Sequence, residues 1–287
     1  MESTADIAIA PESRGSSWSL WMRQTLAIMS LEIKKNFFSR RALLLYPMAA
    51  MPMVLLAALT LVPPDTDEME NFSMVGQIFA GVYGALILRT LVFFGCAWIF
   101  MNLFRGEVVD RSLHYYFLAP VRREVLVVGK YLSGLVAAIV LFGITTVGSM
   151  LILYFGLFPT ESRAFFIGGA GAGQLLSYLG VTILACIGYG AVFLIVGLRF
   201  RNPIIPGLLL YGWEWINFLL PPLLKKVSVI HYLQSLVPVP MSEGPFAVLA
   251  EPTPAWIAVP SLLLFTAVVL GLAGLQIRRM EISYAGE

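Results

Sequence analysis

Long uninterrupted apolar runs decide most of what this chain can fold into. They fall near residues 42–62, 78–104, 131–157, 165–198, 203–224 and 255–275, and each is near or above the roughly 20 residues a helix needs to cross a hydrocarbon core. The apolar residues are gathered rather than dispersed at amphipathic spacing, so a water-soluble core does not account for them. Of the 287 residues, 59% are hydrophobic and 13% charged, whereas soluble domains carry about 25% charged residues. Lipid is therefore the solvent for most of the chain. Hydrocarbon offers no partner to a free backbone N–H or C=O, and the short alternation of barrel strands is missing, so the spans are read as helices. The expected fold class is all-α: a polytopic integral membrane protein with six transmembrane helices and an N-terminal interfacial amphipathic helix. Residues 1–15 read as a flexible polar N-terminus, 16–39 as a cytoplasmic interfacial helix and 40–287 as the six-span domain. The run at 165–198 is longer than one crossing needs, about 50 Å at the helical rise, so its glycine-rich start, Gly168 to Gly173, is expected to bend or turn outside the membrane.

Orientation follows from where the basic residues fall, since Lys and Arg in short connections stay on the cytoplasmic side. With the N-terminus inside, Arg14, Arg23, Lys34, Lys35, Arg40, Arg41, Arg105, Arg111, Arg122, Arg123, Lys130, Arg199, Arg201, Arg278 and Arg279 are cytoplasmic. Only Arg163, Lys225 and Lys226 are external, together with the acidic stretch Asp65, Asp67, Glu68 and Glu70. Both termini are thus placed in the cytoplasm. The net charge of +2 is too small to suggest a nucleic-acid partner. The first fifteen residues lack the basic start and apolar stretch of a secretory signal, so the chain is expected to insert through its own spans. Ahead of the first span, Trp18, Met22, Leu26, Met29, Ile33 and Phe37 recur at three- and four-residue spacing. That stripe suits a helix lying along the inner surface of the bilayer or, alternatively, packed on its own protein.

Several chemistries find no support in the residues. A phosphate-binding loop needs a glycine-rich turn ending in Lys-Ser or Lys-Thr; Gly168 to Gly173 contains no lysine, and Gly129-Lys130 is followed by Tyr131. His114 and His231 fall on opposite sides of the membrane, neither HExxH nor GxSxG occurs, and Cys96 and Cys186 sit in spans with another between them. No catalytic, cofactor-binding or metal-ligating residue is assigned. The small-residue sets Gly169, Gly173, Ser177 and Gly76, Ala80, Gly84 read as helix-packing positions.

The connection from Phe104 to Lys130 mixes acids, bases and aromatics, and on chemistry alone Tyr115, Tyr116 and Phe117 fit a protein-docking surface or the headgroup region equally. Its pattern of Glu107, Ser112, Leu113, Leu118, Pro120, Val121, Gly129 and Lys130 resembles that of the type-2 ABC transporter permeases after their second span. Arg111-Ser112 stands where Gly-Thr is usual, and Tyr115-Tyr116 where aliphatics are common. The resemblance extends to the N-terminal helix, the six-span layout and the long external connection before the last span. It implies the membrane-spanning subunit of an ABC exporter, non-catalytic itself, paired with a second permease copy as homodimer or heterodimer. A partner ATPase subunit would bind ATP and Mg. The resemblance places ATPase coupling at Glu107, Arg111, Ser112, Leu113, Tyr115, Tyr116, Pro120, Arg122 and Arg123, and suggests short re-entrant or external helices between Lys225 and Glu251. It also implies a bacterial cytoplasmic membrane. A candidate pathway is assigned to Arg89, Tyr211, Glu214, Trp215 and Phe218, with Arg89 and Glu214 expected to be coupled across the second and fifth spans. Ionisable residues inside a span also suit a channel or secondary transporter. A membrane-embedded lipid-modifying enzyme would need a carboxylate or histidine cluster at one face, and none is seen.

Overall fold

The computed structural model describes residues 17–39, 42–61, 72–109, 122–239 and 253–278, and every regular element among them is helical. Helix α1 is Ser17–Phe38; after a 3-10 turn at Ala42–Leu44, α2 is Leu45–Leu61. Helix α3 (Phe72–Val82) runs through a π-helical stretch, Tyr83–Val92, into α4 (Phe93–Val109). Helices α5 (Arg123–Leu157), α6 (Pro159–Gly168) and α7 (Gly171–Arg199) follow. Helix α8 (Ile204–Trp215) ends in a 3-10 turn, Ile216–Leu219, and is succeeded by the short α9 (Pro222–Lys225) and α10 (Val229–Ser235), then by α11 (Ala255–Arg278).

Among the described residues, five helical stretches are long and apolar enough to cross a membrane: Ala42–Leu61, Phe72–Gly106, Arg123–Leu157, Gly171–Arg199 and Ala255–Arg278. The long run expected to bend at its glycines does so, with α6 ending at Gly168 and α7 beginning at Gly171. The run at 203–224 does not form one helix. Helix α8 stops after 12 residues, which at about 1.5 Å each is roughly 18 Å, little more than half a hydrocarbon core. Pro221 and Pro222 follow the four-residue 3-10 turn after Leu220, and consecutive prolines contribute no N–H to a continuing ladder.

Contacts define two ends of the bundle. At one, the Lys130 ammonium donates to the Leu103 carbonyl (3.1 Å) and Arg123 donates to the carbonyls of Ile277 (3.2 Å) and Arg278 (3.0 Å). These contacts join the end of α4, the start of α5 and the end of α11. At the other end, the Phe72 ring meets Tyr154 at 5.8 Å, Phe158 at 5.9 Å and Phe165 at 5.4 Å, each edge-on. The Thr253 N–H, just before α11, donates to Ser235 Oγ there (3.1 Å). The stretch from Ile204 to Ser235 therefore carries the chain from the first end to the second in short pieces. The first end also holds Arg105, Arg122, Arg199 and Arg201, and is called the basic end below.

The interior is mostly aromatic and aliphatic, with one polar seam. The Tyr83 hydroxyl, from the π-helical stretch, donates to the Tyr178 carbonyl (3.0 Å) and shares a hydrogen bond with Thr182 Oγ1 (3.0 Å), which in turn meets Thr146 Oγ1 (3.1 Å). Cys96 and Cys186, on α4 and α7, are both buried and free.

The close approach of one helix backbone to another at a glycine is made at Gly197, outside the two small-residue sets, where Gly169 meets only its own preceding helix, at Phe165. A Cβ on Gly173 would meet nothing within 4 Å, and one on Gly76 would only touch the Tyr154 hydroxyl at 3.4 Å. At Gly197, a Cβ would lie 2.8 Å from the Met101 Cα and 2.9 Å from its carbonyl oxygen. Backbone cannot swing aside as a side chain can, so Gly197→Val has to push α7 off α4. The expected cost is about 1–3 kcal/mol, the usual penalty of overpacking, read as a lowered melting temperature of the purified chain in detergent. Gly173→Val should melt like the parent.

Candidate functional site

Two polar clusters stand out against the apolar interior. The first ties α1 to the bundle at the basic end. Lys130 Nζ donates to Glu32 Oε1 at 2.7 Å, and the two side chains are 0% and 2% exposed. The ammonium also lies 5.4 Å from the Phe104 ring centre. One turn on, Asn36 Nδ2 donates to Ser133 Oγ (3.3 Å), and Ile28 and Thr25 sit directly over Gly129. The face of α1 that packs on α5 is thus Thr25, Ile28, Glu32 and Asn36. Trp18, Met22 and Leu26, the start of the apolar stripe, are exposed, whereas Met29, Ile33 and Phe37 are half-buried.

This cluster borders the predicted coupling segment. Arg122 lies over the Trp21 ring, 4.6 Å from its centre, and Arg123 caps the carbonyl end of α11. Beside it, Arg278 pairs with Glu124. Glu107 is in the last turn of α4. Arg111, Ser112, Leu113, Tyr115, Tyr116 and Pro120 lie outside the described residues, as does His114.

The second cluster is centred on Glu214, at the end of α8. Its carboxylate accepts from the Val229 N–H (3.1 Å), the Ile230 N–H (2.9 Å), Ser228 Oγ (2.8 Å) and Tyr189 Oη (3.2 Å). Glu214 is 9% exposed. All four partners donate, so the carboxylate serves as a cap for the first turn of α10 and fastens it to α8 and α7. This satisfies N–H groups that the start of α10 leaves without helical partners. The other expected pathway residues spread out from this point. Tyr211, one turn before, packs 4.6 Å from Phe94 and 5.3 Å from Phe93. Trp215 Nε1 donates to Tyr211 Oη (2.8 Å), with the indole half exposed. Phe218 is half-buried in the 3-10 turn. Arg89 lies in the π-helical stretch, Tyr83–Val92, and Glu214 takes its four donors from α7 and from residues 228–230.

Glu32, Tyr189 and Ser228 were not singled out from sequence. Glu32 carries a signal in retrospect: it is the one acid in α1, which also holds Arg23, Lys34 and Lys35, and it lies four residues from both Ile28 and Asn36 on the packed face. Comparison of the chain with known protein families, with curated proteins and with solved structures finds no match.

Two predictions follow from these partners. Removing one member of a buried ion pair strands the other, at about 3–5 kcal/mol, whereas replacing both with apolar groups is often neutral. Glu32→Leu and Lys130→Met should therefore each lower the melting temperature sharply, and the double variant should recover most of the loss. At the second cluster, Glu214→Arg puts a donor against four donors. Combining it with Arg89→Glu should leave the melting temperature as low as in Glu214→Arg alone, since neither change restores an acceptor for Ser228, Val229 and Ile230.

Proposed function

We propose that this chain is the membrane-spanning permease subunit of an ATP-binding cassette transporter, an exporter, that forms the translocation pathway and is driven by a separate ATPase subunit. The observation that carries this reading is the composition of the basic end. The connection whose residues resemble those of the type-2 permeases leaves α4 and enters α5 between Glu107 and Lys130. In the structure the flanks of that connection are braced on α1 through Lys130–Glu32 and Arg122–Trp21, and on α11 through Arg123. A surface that takes up work from a partner has to be stiffly joined to the spans it moves, and these ties meet that requirement.

On this reading there are six crossings, the α8–α10 stretch making the fifth, with α1 at the inner membrane surface. The excess of Lys and Arg at the basic end puts that end and both termini in the cytoplasm, in a bacterial cytoplasmic membrane. The functional unit is a dimer of permeases, as homodimer or heterodimer, with ATP and Mg held by the ATPase partners. One feature favours a different reading, a secondary transporter or channel. Discontinuous helices with a carboxylate at the break mark the binding sites of many such proteins, and the α8–α10 crossing has that form around Glu214.

The two readings differ in their energy source. Expressed with its neighbouring genes and purified from membranes, the chain should bring down an ATPase, and transport in vesicles should require ATP rather than an ion gradient. Glu107→Ala and Arg111→Ala should still assemble with that ATPase but lose most substrate-stimulated hydrolysis. Transport that persists without any ATPase and collapses with the ion gradient would replace this proposal by the second reading.

A further inference from the structure

We propose that the groove between α2, α4 and α8 at the basic end binds an anionic, acyl-chain-bearing lipid. Two adjoining cavities share Leu45, Trp98 and Asn102 as walls. The smaller, about 190 Å³, is bordered by Glu32, Lys35, Asn36 and Ser39. The larger, about 490 Å³, runs between Met48, Phe94, Ala97, Met101, Gly207 and Leu208, with Arg105 and Asn202 at its mouth. The larger cavity alone is in the range of roughly 300–1,000 Å³ typical of small-molecule sites.

Polarity is graded along this one groove. Asn102 stands at the junction, lysine and arginine lie on either side of it, and the wall beyond is hydrocarbon and aromatic. Asn102 already donates to the Trp98 carbonyl (2.7 Å), but a wholly apolar occupant would leave the Arg105 guanidinium facing a chain that cannot pair with it, at the cost of covering a charge with hydrocarbon. A small free anion would pair with the head of the groove and leave the apolar part empty. An amphiphile with a negative head satisfies both halves, and basic pockets between transmembrane helices recognise anionic headgroups on this principle. Arg201, next to Asn202, and Arg199 add positive potential at the same level of the bundle. Gly207 lets the groove extend along α8, because a Cβ there would come within 2.9 Å of the Met101 methyl. The site belongs to this chain alone and does not rest on the transporter reading.

The full-length chain is reconstituted in phosphatidylcholine nanodiscs containing a trace of photoactivatable phosphatidylglycerol or, in parallel, phosphatidylcholine with the same photoactivatable chain. The phosphatidylglycerol probe should label peptides bearing Met48, Met101 and Leu208 several-fold more than the phosphatidylcholine probe. Arg105→Gln should bring that labelling down to the phosphatidylcholine level. Ala97→Trp, which fills the apolar half, should abolish it while labelling of the outer face of α11 stays unchanged. Leu208→Trp, at an exposed position of the wall, does the same should Ala97→Trp fail to fold. Equal labelling by the two headgroups, or labelling indifferent to the filling variants, overturns the proposal in favour of ordinary surrounding lipid. Cross-links between the grooves of two chains in place of lipid overturn it in favour of a second copy.

Discussion

Hydrocarbon has no hydrogen bonds to give, so a polar group that enters the bundle is costly unless it finds a partner on another part of the same chain. That constraint accounts for where most of the buried polar side chains stand, Ser149, Tyr178 and Thr266 being hydroxyls that find none. Tyr83, Thr146 and Thr182 satisfy one another across three helices. Lys130 takes Glu32 and the Leu103 carbonyl, and Thr145 turns its hydroxyl to the carbonyls of Ala49 and Leu141. Each of these contacts also fixes the rotation of one helix against another, which apolar packing alone leaves loosely specified. The π-helical stretch obeys the same rule, with Thr90 Oγ1 bonded to the Ala85 carbonyl five residues back (2.9 Å).

The stretch from α8 to α10 shows the constraint at its most demanding. A helix that stops within the bundle exposes carbonyls, and one that starts there exposes N–H groups. The chain meets the second problem with Glu214, whose two oxygens collect the Val229 and Ile230 N–H groups and the Ser228 hydroxyl. Part of the first is met by Asn217, whose amide donates to the Lys225 carbonyl (3.4 Å), tying the 3-10 turn to α9. A carboxylate with these donors around it is anchored by structure whatever else passes nearby, so its position in a span does not by itself mark a conduit.

The five long helices were legible because a continuous apolar run is itself what a spanning helix requires. The break at Gly168–Gly171 was legible for the same kind of reason, an excess of length together with glycine. The run at 203–224 misled because hydropathy counts side chains and not backbone continuity. Ile216, Phe218, Leu219 and Leu220 keep the run apolar, yet Pro221 and Pro222 behind them withhold the N–H groups that a helix would need. The packed face of α1 was hidden differently. Trp18, Met22 and Leu26 of the expected apolar stripe are exposed, and the face packed on the protein is the one carrying Ile28, Glu32 and Asn36. Spacing of apolar residues therefore did not mark the contacting face, because the contact is made in large part by polar side chains. Partners such as Tyr189 and Ser228 depend on how distant segments meet, which no local pattern encodes.

The two ends of the bundle are held by forces of different size. At the opposite end, Phe72, Tyr154 and Phe165 meet by ring contacts, each worth about 0.5–1.5 kcal/mol beyond its burial, and such contacts can slide and re-form in a new register. At the basic end, separating α1 from α5 would leave Glu32 and Lys130 charged and unpaired, a loss of about 3–5 kcal/mol in one step. Arg123 adds directional bonds to the last carbonyls of α11 that cannot slide at all.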